Sequence, residues 1–388
     1  MATTLLGTGV FILPQMTIEI AGVGAVLAWT LLTLAIIPIA LVFARLGSQF
    51  SHASGPAYFV EQAFGRVLGR AVGLSFLLIV PIGAPAAILM TMQFVNALIP
   101  IDGIVVLLCE LAVLLLIMVL NLRGIQISAK AQLALTLGMI VVVLALCVAG
   151  VFHPAVAGDL ALHQFEVSST MKALGIAFWS FLGIEAMTHL SSDFRRPKQD
   201  LVPAMMTGTL LVGAIYVGCS WLLLQIDTNE PLAMIGAFNT LLGGYGALVI
   251  GLLGIASGLA TVNVYCASVA RLLWSFSEQG ILPSWFKQRN SYNVPVRAFA
   301  MVLLVMAGVM LINYTAGVRL DQLLSWANGV FVLIYLLSML AAFKLLPQGR
   351  GLALLSSMLC LFFGVALGGA MIYAVILLLV LLPLLWYQ

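Results

Sequence analysis

Ser180-Phe181-Leu182-Gly183-Ile184-Glu185 interrupts a run that otherwise reads as the interior of a membrane span, and Gly7-Thr8-Gly9 interrupts another near the head of the chain. Backbone that leaves the helix inside a bilayer exposes N–H and C=O groups at several kcal/mol each. It persists only where protein, water or a ligand satisfies them. Matched interruptions in two halves of a chain point to a binding chamber near the membrane midplane, the arrangement of a transporter.

Composition sets the context. With 63% hydrophobic and 7% charged residues over 388 positions, and a mean hydropathy of +1.19, the chain has too little polar surface to cover a soluble globule. A helix needs about 20 apolar residues to cross the hydrocarbon, and polar punctuation divides the sequence into about twelve such segments. A β-barrel is excluded. Its strands alternate polar and apolar over about 10 residues, whereas Leu133 to Val151 is continuously apolar.

The expected helices cover approximately 1–22, 24–47, 71–98, 102–122, 127–152, 169–190, 201–226, 240–277, 296–314, 320–346, 351–367 and 369–387. Residues 48–70 are more polar and include Ser54-Gly55-Pro56; a short interfacial helix is expected in the segment Ala57 to Gly65. Helices one to five and six to ten fit two inverted repeats, because an odd number of helices turns the second repeat upside down and puts breaks at equivalent positions one and six. The expected architecture is all-α: a transport core over 1–346 and two peripheral spans over 351–388.

The location of the cations orients the chain. Arg45, Arg66 and Arg70 follow the second segment, Arg123 and Lys130 the fourth, Arg195, Arg196 and Lys198 the sixth, Arg271, Lys287, Arg289 and Arg297 the eighth, and Lys344 and Arg350 the tenth. The intervening loops hold Asp102, Asp159, Glu166, Asp227, Glu230 and Asp321, with Lys172 and Arg319 as their cations. Both termini are therefore expected in the cytoplasm. The first segment has no basic leader of the kind that precedes a cleavable signal.

At the first break, Gly7 and Gly9 allow backbone geometry barred to bulkier residues and close approach of a ligand. The half-helix that follows would present its positive end to an anion such as an amino acid carboxylate. The competing reading is close helix packing. At the second break, Gly183 sits beside Glu185, an intramembrane acid whose expensive charge points to gating or coupling, and carbonyls of Trp179, Ser180 and Leu182 could receive a substrate ammonium. The competing reading of Glu185 is a structural bond to first-span backbone. Glu110 is a second intramembrane acid with no break nearby, and it reads as structural or protonated. Ser257 and Thr261 could offer hydroxyls to a cation, although such hydroxyls more often bond their own helix.

Other signals are weaker. Cys109, Cys147, Cys219, Cys266 and Cys360 lie in apolar segments without metal-ligand spacing, and the seventeen methionines are dispersed, so both read as packing. His52, His153, His163 and His189 do not cluster in sequence; His189, one turn past Glu185, could join a proton path. No Ser/His/Asp or HExxH arrangement supports an enzyme. The Arg195-Arg196-Pro197-Lys198 run fits topology rather than nucleic acid.

The stretch Gly7 to Pro14 resembles the first-helix signature of the amino acid-polyamine-organocation superfamily. Three further stretches share the resemblance: Ser54-Gly55-Pro56 to Phe64-Gly65, Phe178 to Glu185, and Arg195-Arg196-Pro197 to Ala204. Within the superfamily the chain is most similar to bacterial exporters of methionine and branched-chain amino acids. The resemblance implies a secondary transporter of the bacterial inner membrane with a LeuT-like fold, acting by alternating access without a cofactor. Its partners would be a neutral apolar amino acid and the bilayer; with no unmistakable sodium site in the sequence, coupling by protons, by exchange or by the substrate gradient alone stays open. A proton-coupled importer or an exchanger of the same superfamily is the alternative.

Carried onto matching positions, the resemblance implies that Thr8 and Gly9 bind the substrate carboxylate. Carbonyls of Leu5, Trp179 and Leu182 receive the amino group, and Trp179 is the aromatic gate. It further implies a side-chain pocket at Ala84, Ala87, Tyr265 and the neighbourhood of Asn328, with small and apolar walls that suit methionine, leucine, isoleucine or valine. Many sodium-independent relatives have a lysine midway along helix five, where this chain has Met139; Lys130 falls nearer the cytoplasmic end.

Overall fold

A computed structural model of the chain describes residues 5–7, 9–52, 54–124, 129–153, 165–189, 191 and 194–386. Thr8, Asp159 and His163 lie outside the described residues, as do positions 1–4, 127–128, 190 and 387 of the expected helices.

The described residues form helices and connecting turns, with no strand among them. In chain order, a 3₁₀ turn Gly9–Phe11 leads into α1 (Leu13–Ala21), followed by α2 (Gly24–Gln49), α3 (Pro56–Phe64), α4 (Arg66–Leu98), α5 (Gly103–Leu122) and α6 (Ala129–Phe152). Then come α7 (Val167–Ala177), a 3₁₀ turn Phe178–Phe181, α8 (Ala186–His189), α9 (Pro197–Gln225), α10 (Ala233–Leu242) and α11 (Gly246–Glu278). The last elements are α12 (Val296–Ala316), α13 (Leu320–Leu345), α14 (Arg350–Leu367) and α15 (Met371–Trp386).

Ten stretches among the described residues are long and apolar enough to cross a membrane. The number is below the expected twelve for two reasons. The first span is described as helix only over the short Gly9–Ala21 piece, and the last two segments run together as Pro347–Pro383. The short helix expected after residue 56 is α3, started by Pro56 and ended at Gly65. The expected helix over 240–277 is divided: α10 closes at Gly243, whose φ of 100° bars a helical continuation, and α11 begins at Gly246.

Burial separates inner from outer elements. On α5 the buried residues are Leu107, Glu110, Leu114, Ile117 and Asn121, a single stripe at three- and four-residue spacing. Around it Leu108, Leu115, Leu116 and Val119 are exposed, as lipid-facing positions are. Asn121 holds this stripe to α11 by donating to the Asn263 side chain. Further in, α2 packs along α9 and α4 along α11, while α13 reaches both α4 and α14. The two interrupted spans lie among these helices, with α7 packed on both α1 and α2.

Candidate functional site

Both expected interruptions are present. In the first span Leu5 and Leu6 are helical, Gly7 turns with φ 35°, and helix resumes only through the 3₁₀ turn. In the sixth, Leu182 is extended (φ −67°, ψ 132°) and Gly183 has φ 110°, a left-handed conformation that side-chain-bearing residues rarely adopt.

The carbonyls released by these breaks find partners on neighbouring helices. Gly7 O accepts the Ser257 hydroxyl of α11 at 2.7 Å. Ser257 thus departs from the expectation that such a hydroxyl bonds its own helix. Tyr216 of α9 places its hydroxyl 3.2 Å from Leu5 O and 3.4 Å from Leu6 O. In the sixth span the break is braced internally. Gly183 N–H lies 3.1 and 2.9 Å from the two carboxylate oxygens of Glu185, and the Tyr335 hydroxyl of α13 bonds the same carboxylate and lies 3.2 Å from Phe181 O. Glu185 is 1% exposed, so these bonds are what compensate its removal from water. They go to its own span and to α13, not to the first span.

A chamber lies where the breaks meet. Leu5, Gly7 and Gly9 line it from the first span, and Trp179 and Leu182 from the sixth. Ala84 and Ala87 of α4 and Tyr265 of α11 complete the expected residues that border it. Sequence reading missed Gly83, Tyr216 and Phe331, which also line it, and assigned Thr261, a further lining residue, only to a cation. Gly83 is the informative one: a Cβ there would stand 3.4 Å from the Trp179 ring, so the bare backbone of α4 is what the indole packs over. A tyrosine in an apolar run, such as Tyr216, is the one sequence signal that singles out a missed residue, because a buried hydroxyl needs a partner.

The remaining expected residues sit behind the wall. Ser180 donates to Ala177 O at 2.7 Å, Gly183 is engaged by Glu185, and Asn328 donates to Gly175 O at 2.8 Å, holding α13 to α7. Phe331, three residues on from Asn328, faces the chamber. Thr8 lies outside the described residues. Among the described lining residues none is Asp, Glu, Lys, Arg or His. The polar groups on the described wall are main-chain atoms, the hydroxyls of Thr261, Tyr216 and Tyr265, and the indole N–H of Trp179. Met139, on α6, is fully buried.

The amino acid permease family model matches residues 1–387. The chain belongs to the amino acid permease family. The permease is 36% identical over 386 residues to the L-methionine/branched-chain amino acid exporter YjeH of Escherichia coli strain K12, covering 97% of this chain and 92% of that protein. It is 22% identical to the putrescine transporter PotE of the same strain (87% of this chain, 80% of the relative). To the cadaverine/lysine antiporter of that strain it is also 22% identical (87% and 78%). The superfamily resemblance carried by Gly7 to Pro14 and Phe178 to Glu185 is borne out, and with it the reading as a multi-pass membrane transporter.

Proposed function

We propose that this permease exports neutral, apolar L-amino acids, methionine, leucine, isoleucine and valine, across the bacterial inner membrane by alternating access. The reading rests on one observation: the chamber between the two breaks has no ionised side chain on its described wall. A zwitterion can be held there by main-chain atoms, its carboxylate at Thr8 and Gly9 and its ammonium at the carbonyls of Leu5, Trp179 and Leu182. Its side chain then faces Ala84, Ala87 and Phe331. A cationic side chain would find no acid to pair with, at a desolvation cost of several kcal/mol. The similarity to YjeH, 36% against 22% for the relatives named for diamines, agrees with that preference.

The architecture belonging to this reading is a 1–346 core of two five-helix inverted repeats, with two peripheral spans over 351–388 and both termini cytoplasmic. Trp179 closes over the substrate, and the two arms of each broken span rock around it. Glu185 holds the sixth break in shape while Met139 takes the lysine position of sodium-independent relatives.

Proteoliposomes preloaded with radiolabelled methionine, leucine, arginine or lysine test it. Methionine and leucine are expected to leave saturably and arginine and lysine to stay. Arginine efflux matching that of methionine overturns the cargo. Efflux only against external amino acid identifies an exchanger, and accumulation driven by a proton gradient identifies an importer.

A further inference from the structure

Outside the central chamber, a second, open concavity lies between α2 and α14. Its wall is wholly apolar, with Leu34, Pro38 and Leu41 on α2 facing Leu352, Leu355 and Leu359 on α14. Leu34 is 60% and Leu355 49% exposed. Along α2 the groove runs from Leu31 to Leu41, about 15 Å at 1.5 Å per residue, over the middle of the helix.

At its end stands a cation without an anion. Leu34, Pro38, Leu41 and Arg45 follow one another at four- and three-residue steps, so Arg45 continues the stripe one turn beyond the groove, near the end of α2 at Gln49. Its guanidinium leans toward the head of α14: a Cβ on Gly349 would stand 3.6 Å from Nη1. Arg45 is half-buried and has no side-chain hydrogen bond, ion pair or ring contact among the described residues. Its basic neighbours are engaged elsewhere. Lys344 donates to Ala63 O at 2.6 Å, and Arg350 lies 5.7 Å from the centre of the Phe343 ring. A guanidinium offers five N–H donors in a planar fork that suits phosphate.

We propose that the α2–α14 groove binds one anionic glycerophospholipid from the leaflet on the basic face of the protein, with an acyl chain along the leucines and the phosphate on Arg45. The wholly apolar groove and the unpartnered, half-buried guanidinium one turn beyond it are complemented together by an occupant with an apolar tail and an anionic head. Because α2 also packs on α7 and α8, the arms of the sixth span, the lipid lies one helix away from the break. The site is independent of the cargo and direction of transport.

Native mass spectrometry of the detergent-purified full chain tests this, with phosphatidylglycerol titrated against phosphatidylcholine of the same acyl chains. The wild type is expected to retain one phosphatidylglycerol in preference to phosphatidylcholine. Arg45→Gln should weaken phosphatidylglycerol retention about fivefold, the effect of one basic residue at an anionic surface, and leave phosphatidylcholine unchanged. Leu355→Trp, which fills the groove, should lower retention of both. If Arg45→Gln does not give a monodisperse protein, Arg45→Lys replaces it, keeping the charge without the fork, and an intermediate loss is expected. Wild-type retention in both the arginine variant and Leu355→Trp overturns the site, as does a wild-type adduct with the mass of a second chain in place of lipid.

Discussion

Tyr216 shows how much of the first break depends on one side chain. Its hydroxyl reaches the carbonyls of Leu5 and Leu6 on one arm, and its ring stacks on Trp29 at 4.3 Å. Trp29 in turn donates to Thr17 of α1 at 2.9 Å, and Thr17 to Pro14 O at 2.8 Å. The two arms are thus tied through a single aromatic pair. Gly9 makes room for it, since a Cβ there would lie 2.8 Å from both the tyrosine oxygen and Leu13 Cδ1. Gly9→Ala is therefore expected to cost about 1–3 kcal/mol in overpacking and to lower counterflow sharply at equal protein level. An unchanged rate would show that the tyrosine yields freely. Trp179→Ala should abolish most transport while folding is preserved, because the half-buried indole rests on the glycine backbone of α4 and, among the described residues, braces no other helix by a hydrogen bond. Full activity would remove Trp179 from gating.

The sixth span is held open by its own chemistry rather than by strain alone. Glu185 closes a ring onto Gly183 N–H and receives Tyr335 of α13, so the break is tied to the neighbouring helix. Glu185→Ala leaves the buried Gly183 N–H without its acceptor, at about 1–3 kcal/mol, and the Tyr335 hydroxyl with Phe181 O. Tyr335→Phe takes a donor from the buried Glu185 carboxylate and should also cost about 1–3 kcal/mol. A double-mutant cycle on thermal unfolding in detergent checks the coupling, and strictly additive losses would mean that the two side chains act separately. The facing helix contributes smallness: Gly83, Ala84 and Ala87 leave α4 bare toward the chamber. Ala84→Trp is expected to exclude leucine and methionine, and undiminished flux of both would place the side-chain pocket elsewhere.

Orientation and architecture belong to the molecule as a unit. The basic loops predict that a membrane-impermeant maleimide labels Asp102→Cys and Glu230→Cys in intact cells, and Lys198→Cys and Arg289→Cys only after permeabilisation. All four positions are exposed, and the reverse pattern would turn the protein over in the membrane. Membrane residence, helical class and the location of both breaks could be read along the chain, because a bilayer tolerates few backbone solutions and any departure from them stands out locally as glycine or an intramembrane acid. The partners at the breaks could not. Ser257 meets Gly7 across 250 positions, Tyr216 meets Leu5 across 211, and Tyr335 meets Glu185 across 150. Such pairings leave no periodic trace in the sequence. They exist because several helices converge on the same unwound carbonyls, so which hydroxyl satisfies each one is a property of the packing.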